Sequence, residues 1–570
     1  MTMRRLRMRR GALPVVACVL SCAPLAAQAD GPTGGSTIVM PGVTVEHRVD
    51  FTANGPVAFT VIAAPAPTGL TTIGPVLAGG SVSGGRATLA QIEQSVSSVA
   101  TVAGISGDFF NATTNLPNGI VMAGGLLQHI PTPARASIGF DANGAMRVAR
   151  IGFSGTWQGS GQRRPINAVN QKPKANQTVL FTSAWGPTTP DIPDRAAVLL
   201  QPFSAASVNT DLKGVAVSTP AGPVAIPADG AVLVATGTAG TKLNAEIAEG
   251  ATVAVRLVLP DAWGNVVTAF GGGPVLVKAG KAQFSSGETF EAVDLTRRDA
   301  RGAIGQRADG RVLLVTVDGG RPGHSVGVTS YELAKLMVRL GAVTASGLEF
   351  GPHVTAAFGG ALLSRPSDRA GARPIKEGVL VQYQGVYVAP IPSSIGKAQA
   401  AGGLKLSYRI VRPSTVTASV IGPDGVNHPL DAGSKTPGTY ASSWSSFTTE
   451  GDWHWNVRAV DDLGRESTFD EVVSYDLTLG TPSVARSGTG YAVRFTLSRP
   501  AVVGVTITAA NGTPVVKLLP ASLAAGAESI GWDGKAEGGS TPPKGRYVVV
   551  VEAKSSIGTS IQSASFLHAG

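Results

Sequence analysis

Cysteine is nearly missing from this 570-residue chain: the only two, Cys18 and Cys22, fall within the first 29 residues. Residues 30–570 therefore build no disulfide framework and offer no thiolate nucleophile or ligand. Charged residues are sparse at 15% and aromatics at 6%. No Lys/Arg-rich run with interleaved aromatics follows residue 30, which leaves nucleic-acid binding unsupported. No HxxEH, CxxC or EF-hand spacing occurs, so neither a metal nor a cofactor is implied. Long apolar runs are absent as well. The longest, 11–26, is too short and wrongly flanked for a stable membrane span.

That run follows Arg4, Arg5, Arg7, Arg9 and Arg10 and ends at Ala27-Gln28-Ala29. The pattern is that of a secretory signal peptide cleaved after Ala29, which predicts a secreted, extracellular protein. Lipidation at Cys22 is the rival reading, and Leu20 fits it poorly. Losing the five arginines lowers the formal charge from +10 to +5. A mildly basic secreted protein favours an anionic partner, such as a phosphorylated glycan or cell-wall polymer. Oligomeric state is not legible.

What the chain has in quantity is glycine (73), proline (38) and 43% hydrophobic residues, hence many turns and enough apolar material for large cores. The reading is an α+β domain with a mixed β-sheet over 30–390, then two all-β Ig-like sandwiches at 391–480 and 481–570. Val43 to Ala63 alternates as two strands broken at Asn54-Gly55-Pro56. Thr88 with Gln91 forms a capping box opening a helix that runs to Ala100. Short apolar runs with Gly/Pro/Asn turns fill 120–265 and predict sheet. Trp444, Phe447, Trp453 and Trp455 form either a core plug or a sugar-stacking platform, the plug being favoured in a small core.

The segment 311–341 is the clearest. Val312 to Val317 is a β-branched, apolar strand stopped at Asp318-Gly319-Gly320. Thr329 and Glu332 form a second capping box, Leu333, Leu336, Met337 and Leu340 share one helix face, and Gly341 ends it. Between strand and helix lies a polar loop with Asp318, Arg321, His324 and Ser325, where a rigid scaffold presents chemistry. Asp108 at a strand end and Asp318 could equally be turn carboxylates. Gly271-Gly272-Gly273 could serve a ligand or a tight bulge, and Arg301 could clamp an anion or be solvated.

Taken together, GISGDFFN (104–111), PNGIVMAGGLL (117–127), GGGPVLVKAG (271–280), ARGAIG (300–305), VDGGRPGHSVGVTSYELAKLMVRLGA (317–342) and LLSRPSDRAGARPIKEGVLV (362–381) resemble, in order, the phosphodiester glycosidase family, typified by N-acetylglucosamine-1-phosphodiester α-N-acetylglucosaminidase. Trp532-Asp533-Gly534 and Pro543 to Tyr547 resemble the Ig-like domain of flagellar hook-capping proteins, with the Trp in the core. The resemblance implies hydrolysis of a sugar, N-acetylglucosamine or similar, from its phosphodiester. It carries Asp318 and Asp108 over as carboxylates and Arg301 and His324 as phosphate-side cations or donors. Ser106, Asn118, Gly272, Gly273, Gly319, Ser325, Glu349 and His353 would line the substrate.

The chain also departs from the pattern. Ser106 stands where the family has Asn, and Gly302 where it has Thr. The family's Asp-Gly-Gly-Gly-Ser-Ser loop is replaced by Glu349-Phe350-Gly351-Pro352-His353-Val354-Thr355, in which Pro352 removes an amide donor. Two readings stay open: an active phosphodiester glycosidase, or a catalytically degenerate glycan- or wall-binding protein of the same fold.

Overall fold

The computed structural model describes residues 36–220, 222–283, 287–509 and 512–569. The leader reading, with Cys18 and Cys22, lies outside them. The chain is mostly β, with 52% strand and 9% helix. Among the described residues no helix is long and apolar enough to cross a membrane.

The elements that position the site are β1 (Gly55–Ala64), β2 (Thr71–Leu77), α1 (Leu89–Val96), β3 (Thr101–Ser106), β4 (Val266–Gly271), β5 (Arg301–Arg307), β6 (Val312–Val317), α2 (Ser330–Arg339), β7 (Ala342–Phe350), β8 (Ala356–Phe358) and β9 (Glu377–Tyr383). One sheet runs β1-β6-β5-β7 at its centre, all antiparallel. A second runs β8-β3-β9-β2. The period-2 alternation of buried strands decides how the layers stack. Ile62, Ile304, Val312 and Leu314 face the second sheet and meet Ile105, Val379 and Val381. Val61, Leu313, Val315 and Val317 point the other way, against Leu333, Leu336 and Met337 of α2. On the far side of the second sheet, Leu380 and Ala357 meet Leu89 and Ile92 of α1. The result is a helix–sheet–sheet–helix stack. Every residue of β6 is buried because the strand is covered on both faces, hence its unbroken apolar run.

Both predicted capping boxes are present, at Thr88/Gln91 and Thr329/Glu332. The first helix stops at Val96 rather than Ala100, and Val99 is exposed. The region 154–258 is mainly an eight-stranded sheet, mixed because Ala168–Val169 pairs in parallel with Thr178–Thr182. It also holds a helix, Gly237–Glu246, that the sequence hides: Gly237 and Gly240 break the pattern, and only Gly240 and Leu243 are buried.

Towards the C-terminus come two sandwiches of three plus five and three plus four strands. Trp444, Phe447, Trp453 and Trp455 are core, at 9% exposure or less, and no sugar platform is formed there. Trp532 is likewise buried, its indole N–H donating to the Lys535 carbonyl (2.8 Å) across the tight turn made by Gly534. The first sandwich starts earlier than 391, because Tyr387–Val388 already pairs with Leu404–Ile410. Arg409 ties that sandwich to the end of α1, donating to the Ser97 and Ala100 carbonyls.

One buried acid outside the site gives a test of the fold. Glu93 on α1 is fully buried; its Oε2 accepts the Gly360 amide (2.7 Å), and its Oε1 has no partner. Burial pushes its carboxyl up to about 8. A raised acid contributes stability that is full below its unfolded pKa of 4.5 and lost as pH rises through about 8. Glu93→Gln stays neutral, so its stability relative to wild type should rise between pH 5 and pH 8. The expected gain is on the order of 2–4 kcal/mol, each unit of displacement being worth about 1.4 kcal/mol. Urea unfolding at the two pH values reads this directly.

Candidate functional site

The predicted residues fall into two groups at one end of the first sheet. Strand geometry relates them. Val317, the last residue of β6, pairs with Arg301, and Arg301 pairs with Phe350, the last of β7. Two inter-strand steps of about 4.8 Å separate the β6 end from the β7 end by roughly 10 Å.

At the β6 end, the Asp318 carboxylate meets His324 (Oδ2 to Nε2, 2.7 Å) and accepts the Arg365 amide at 3.2 Å. Burial raises the Asp318 carboxyl above its ordinary range, while the bond from His324 and the Arg365 charge work against that rise. His47 lies close enough to feel the Asp318 charge. His324 is the more accessible partner, with 28% of its side chain exposed against 10% for Asp318. With Nε2 on the carboxylate, Nδ1 is the ring nitrogen left to take a proton from a ligand or water. Ser325 does not face a ligand: its fully buried hydroxyl donates to the Asp318 carbonyl (2.6 Å) and accepts the Ala58 amide. Gly319 is explained by packing, since a Cβ there would stand 2.2 Å from the Ala300 nitrogen.

At the β7 end, three carboxylates are buried around Arg135. Arg135 Nη2 donates to Asp108 Oδ1 (2.8 Å) and to the Gly272 carbonyl (2.9 Å). Glu377 Oε1 accepts the Asp108 amide (3.0 Å), and the Glu349 amide donates to the Gly107 carbonyl (3.1 Å). Burial pushes Glu349 and Glu377 up to about 8, and the nearby Asp108 charge adds to both. Asp108 is raised by burial too, with Arg135 opposing. Its Oδ2 has no hydrogen-bond partner and is roofed by backbone: a Cβ on Gly271 would lie 1.9 Å from it, and one on Gly119 2.6 Å. The glycines therefore make room for a carboxylate. Gly272 and Gly273 spend their amides on Ala136 and Gly347, so the triple glycine is a sheet junction and not an anion cradle.

Asp108 is 3% exposed, and its Oδ1 is taken up by Arg135, so its carboxylate does not line an open surface. The Arg135 guanidinium lies 4.3 Å from the Phe109 ring centroid and 5.0 Å from that of Phe290, and Phe109 packs edge-on to Phe350 at 5.0 Å. These half-buried rings pack on the guanidinium and on one another, giving an apolar surface next to the Asp108–Arg135 pair. Asn118 is half-buried beside it, its amide donating to the Phe109 carbonyl (3.1 Å).

Arg301 has a different task from anion clamping. It is 3% exposed, and it donates to the Val328 (2.7 Å), Asp294 (2.5 Å) and Arg297 (2.9 Å) carbonyls, pinning the loop ahead of β5. Arg301→Lys should lose the fork's geometry and destabilise by about 1–2 kcal/mol. Because the loss is one of loop anchoring, thermal unfolding should register it while ligand affinity stays within twofold.

The altered 349–355 loop folds as a short 3-10 turn, Gly351–His353. Three of its amides are taken by the protein itself: Gly351 on the Ala300 carbonyl, Val354 on that of Gly351, Thr355 on Ser106 Oγ. Ser106 in turn donates to the His353 carbonyl (2.6 Å), so it staples this loop to β3. His353 packs edge-on to Phe110 (5.4 Å). Among the described residues no group of three or more His, Cys, Asp or Glu side chains is set to hold a metal ion.

Arg135, Glu377, Phe109, Phe350 and Arg365 were not singled out from sequence. A signal existed for one: Lys376-Glu377 is a charge pair opening an apolar strand, an unusual place for two buried charges.

These features define a β-rich protein with a glycosidase-type segment and a C-terminal Ig-like module. Residues 204–382 match the phosphodiester glycosidase family model, and residues 481–556 match that of the FlgD Ig-like domain. The chain is 36% identical over 93 residues to the SPbeta prophage-derived uncharacterized protein YomE of Bacillus subtilis (strain 168), covering 16% of this chain and 14% of YomE. A crystal structure of a hypothetical protein from Synechocystis is 26% identical, covers 62% of this chain and 64% of its own, and superposes with a TM-score of 0.51. The zebrafish N-acetylglucosamine-1-phosphodiester alpha-N-acetylglucosaminidase catalytic domain, auto-inhibited by its pro-peptide, gives 12% identity, coverage of 62% and 84%, and a TM-score of 0.33. The chain thus spans less than two thirds of the YomE and Synechocystis relatives. At this level the family match supports a glycosidase-like function.

Proposed function

We propose that this protein is a secreted hydrolase that removes a sugar, N-acetylglucosamine or a close analogue, from a glycosyl phosphodiester in a wall polymer or exopolysaccharide. The catalytic unit is taken as the segment up to residue 386, with the sandwiches at 387–480 and 481–570 as spacers or adhesive modules. The observation that carries the reading is the Asp318–His324 pair, bonded at 2.7 Å and partly open to solvent, two strands away from the Phe350 ring at the same end of the sheet.

Water attacks the anomeric carbon, the anomeric C–O bond breaks, and the phosphate monoester leaves with the bonding electrons. His324 takes the proton of the attacking water at Nδ1, and Asp318 holds the ring and stabilises the imidazolium. A phosphate is already a good leaving group, so it needs charge shielding more than a proton, and Arg365 beside Asp318 supplies the charge. The sugar ring lies on Phe109 and Phe350.

The closed 349–355 turn favours a second reading, a glycan-binding protein that has lost turnover. Incubation with the methyl phosphodiester of N-acetylglucosamine 1-phosphate separates the two. Free sugar released by wild type but not by His324→Gln supports the hydrolase. Binding without release by either protein supports the binder.

A further inference from the structure

Arginines gather along one edge of the candidate site. The loop 364–373, SRPSDRAGAR, bears Arg365, Arg369 and Arg373, all exposed. At one end it is anchored on Asp318 through the Arg365 amide, and at the other it nears His353, whose imidazole burial lowers, with the nearby Arg373 and Arg86 charges adding to that. Arg321 fixes the middle, its Nε donating to the Pro366 carbonyl (2.9 Å) and its Nη2 to that of Asp368 (3.2 Å). Arg86 completes the row, 5.1 Å from the centroid of Phe110, the ring that meets His353. Five arginines thus lie on or against this loop, whose own carboxylate, Asp368, is engaged by Arg373 at 2.7 Å.

Several surface arginines elsewhere do have carboxylate partners: Arg256 has Asp211, Arg412 has Asp462, Arg458 has Glu466. Arg86 and Arg369 have no carboxylate partner among the described residues. A row of like charges repels itself, and nothing in the fold requires it.

We propose that this rim binds the phosphates flanking the scissile one in a chain of repeating glycosyl phosphodiesters, so that the ligand is a polyanionic glycan and not an isolated diester. The inference rests on the phosphodiester reading above and extends it: Arg365 serves the reacting phosphate, while Arg86, Arg369 and Arg373 serve its neighbours. Each diester carries one negative charge at neutral pH, and guanidinium groups pair with it through charge-assisted bonds.

The test uses the full chain in an Asp318→Asn background, so that binding is read without cleavage. The probes are a synthetic tetramer of N-acetylglucosamine 1-phosphate units joined through phosphodiesters, the single-unit methyl diester, and uncharged tetra-N-acetylglucosamine. At 50 mM salt the tetramer should bind about tenfold more tightly than the single unit, and at 300 mM salt that advantage should shrink, because exposed charges are screened. In the Arg86→Gln, Arg369→Gln, Arg373→Gln protein the ratio should fall to within about twofold, with the melting temperature as a check on folding. Arg369→Gln alone should lower the ratio by about two- to threefold. A preference that survives the triple replacement, or ignores salt, overturns the rim. Wild-type cleavage of the single unit alongside such a result overturns the rim and leaves the hydrolase standing. A rim-dependent tetramer preference with no cleavage of either phosphodiester keeps the rim and sinks the hydrolase.

Discussion

Asparagine in place of Asp318 is expected to cut sugar release about a thousandfold while leaving the protein folded, because the carboxylate's charge is what orients and stabilises a protonated His324. Asn keeps the shape and can still accept from the Nε2–H and from the Arg365 amide, so thermal stability should change little. The carboxyl is raised by burial, so a charge is held there at some cost, and removing it should if anything relieve strain. His324→Gln should lose a similar factor, and the double variant little more than either alone, since the two side chains act as one unit. Kinetics of the three variants on the single-unit diester check this. Additive losses would mean the pair does not work together.

The second large effect is on stability. Arg135→Met removes the cation that three buried carboxyls share and should cost about 3–5 kcal/mol at pH 8, as expected when one partner of a buried ion pair is deleted. The sign with pH can be worked out. Glu349 and Glu377 have folded pKa values of about 8 against 4.5 unfolded, so the native state holds protons that the unfolded chain has released between those limits. Their stabilising contribution is full below 4.5 and gone above about 8. With Arg135 absent, Asp108 joins them, and the penalty should shrink on going from pH 8 to pH 5. Denaturant unfolding of wild type and variant at both pH values measures it. A pH-independent loss would mean that Arg135 stabilises by packing on Phe109 and Phe290 alone.

These two variants also mark what the sequence made legible. The Asp318–His324 pair is six residues apart in a loop bounded by a recognisable strand and capping box, so both the scaffold and the pair could be read locally. The Arg135 cluster could not. Its members come from 108, 135, 349 and 377, brought together only when β7 and β9 settle beside the end of β3. Asp108 is identifiable as unusual, but its partners are not, and its burial against Arg135 and two glycines is invisible in the sequence. Arg301 shows the same limit in reverse: a basic residue at a strand entry resembles an anion clamp until the Asp294, Arg297 and Val328 carbonyls close on it. The buried strand β6 is legible from its unbroken apolar run, whereas the helix Gly237–Glu246 has too few buried apolar residues to announce itself.

The central claim is that a glycosyl C–O bond breaks, rather than a P–O bond, with Asp318 and His324 as the working pair. Hydrolysis of the N-acetylglucosamine phosphodiester in ¹⁸O-labelled water, read by mass spectrometry and ³¹P NMR, tests that most directly. The account predicts ¹⁸O on the anomeric carbon of the released sugar, an unlabelled phosphate monoester, and loss of both products in Asp318→Asn. Label in the phosphate, or no product from the wild-type protein, would contradict it.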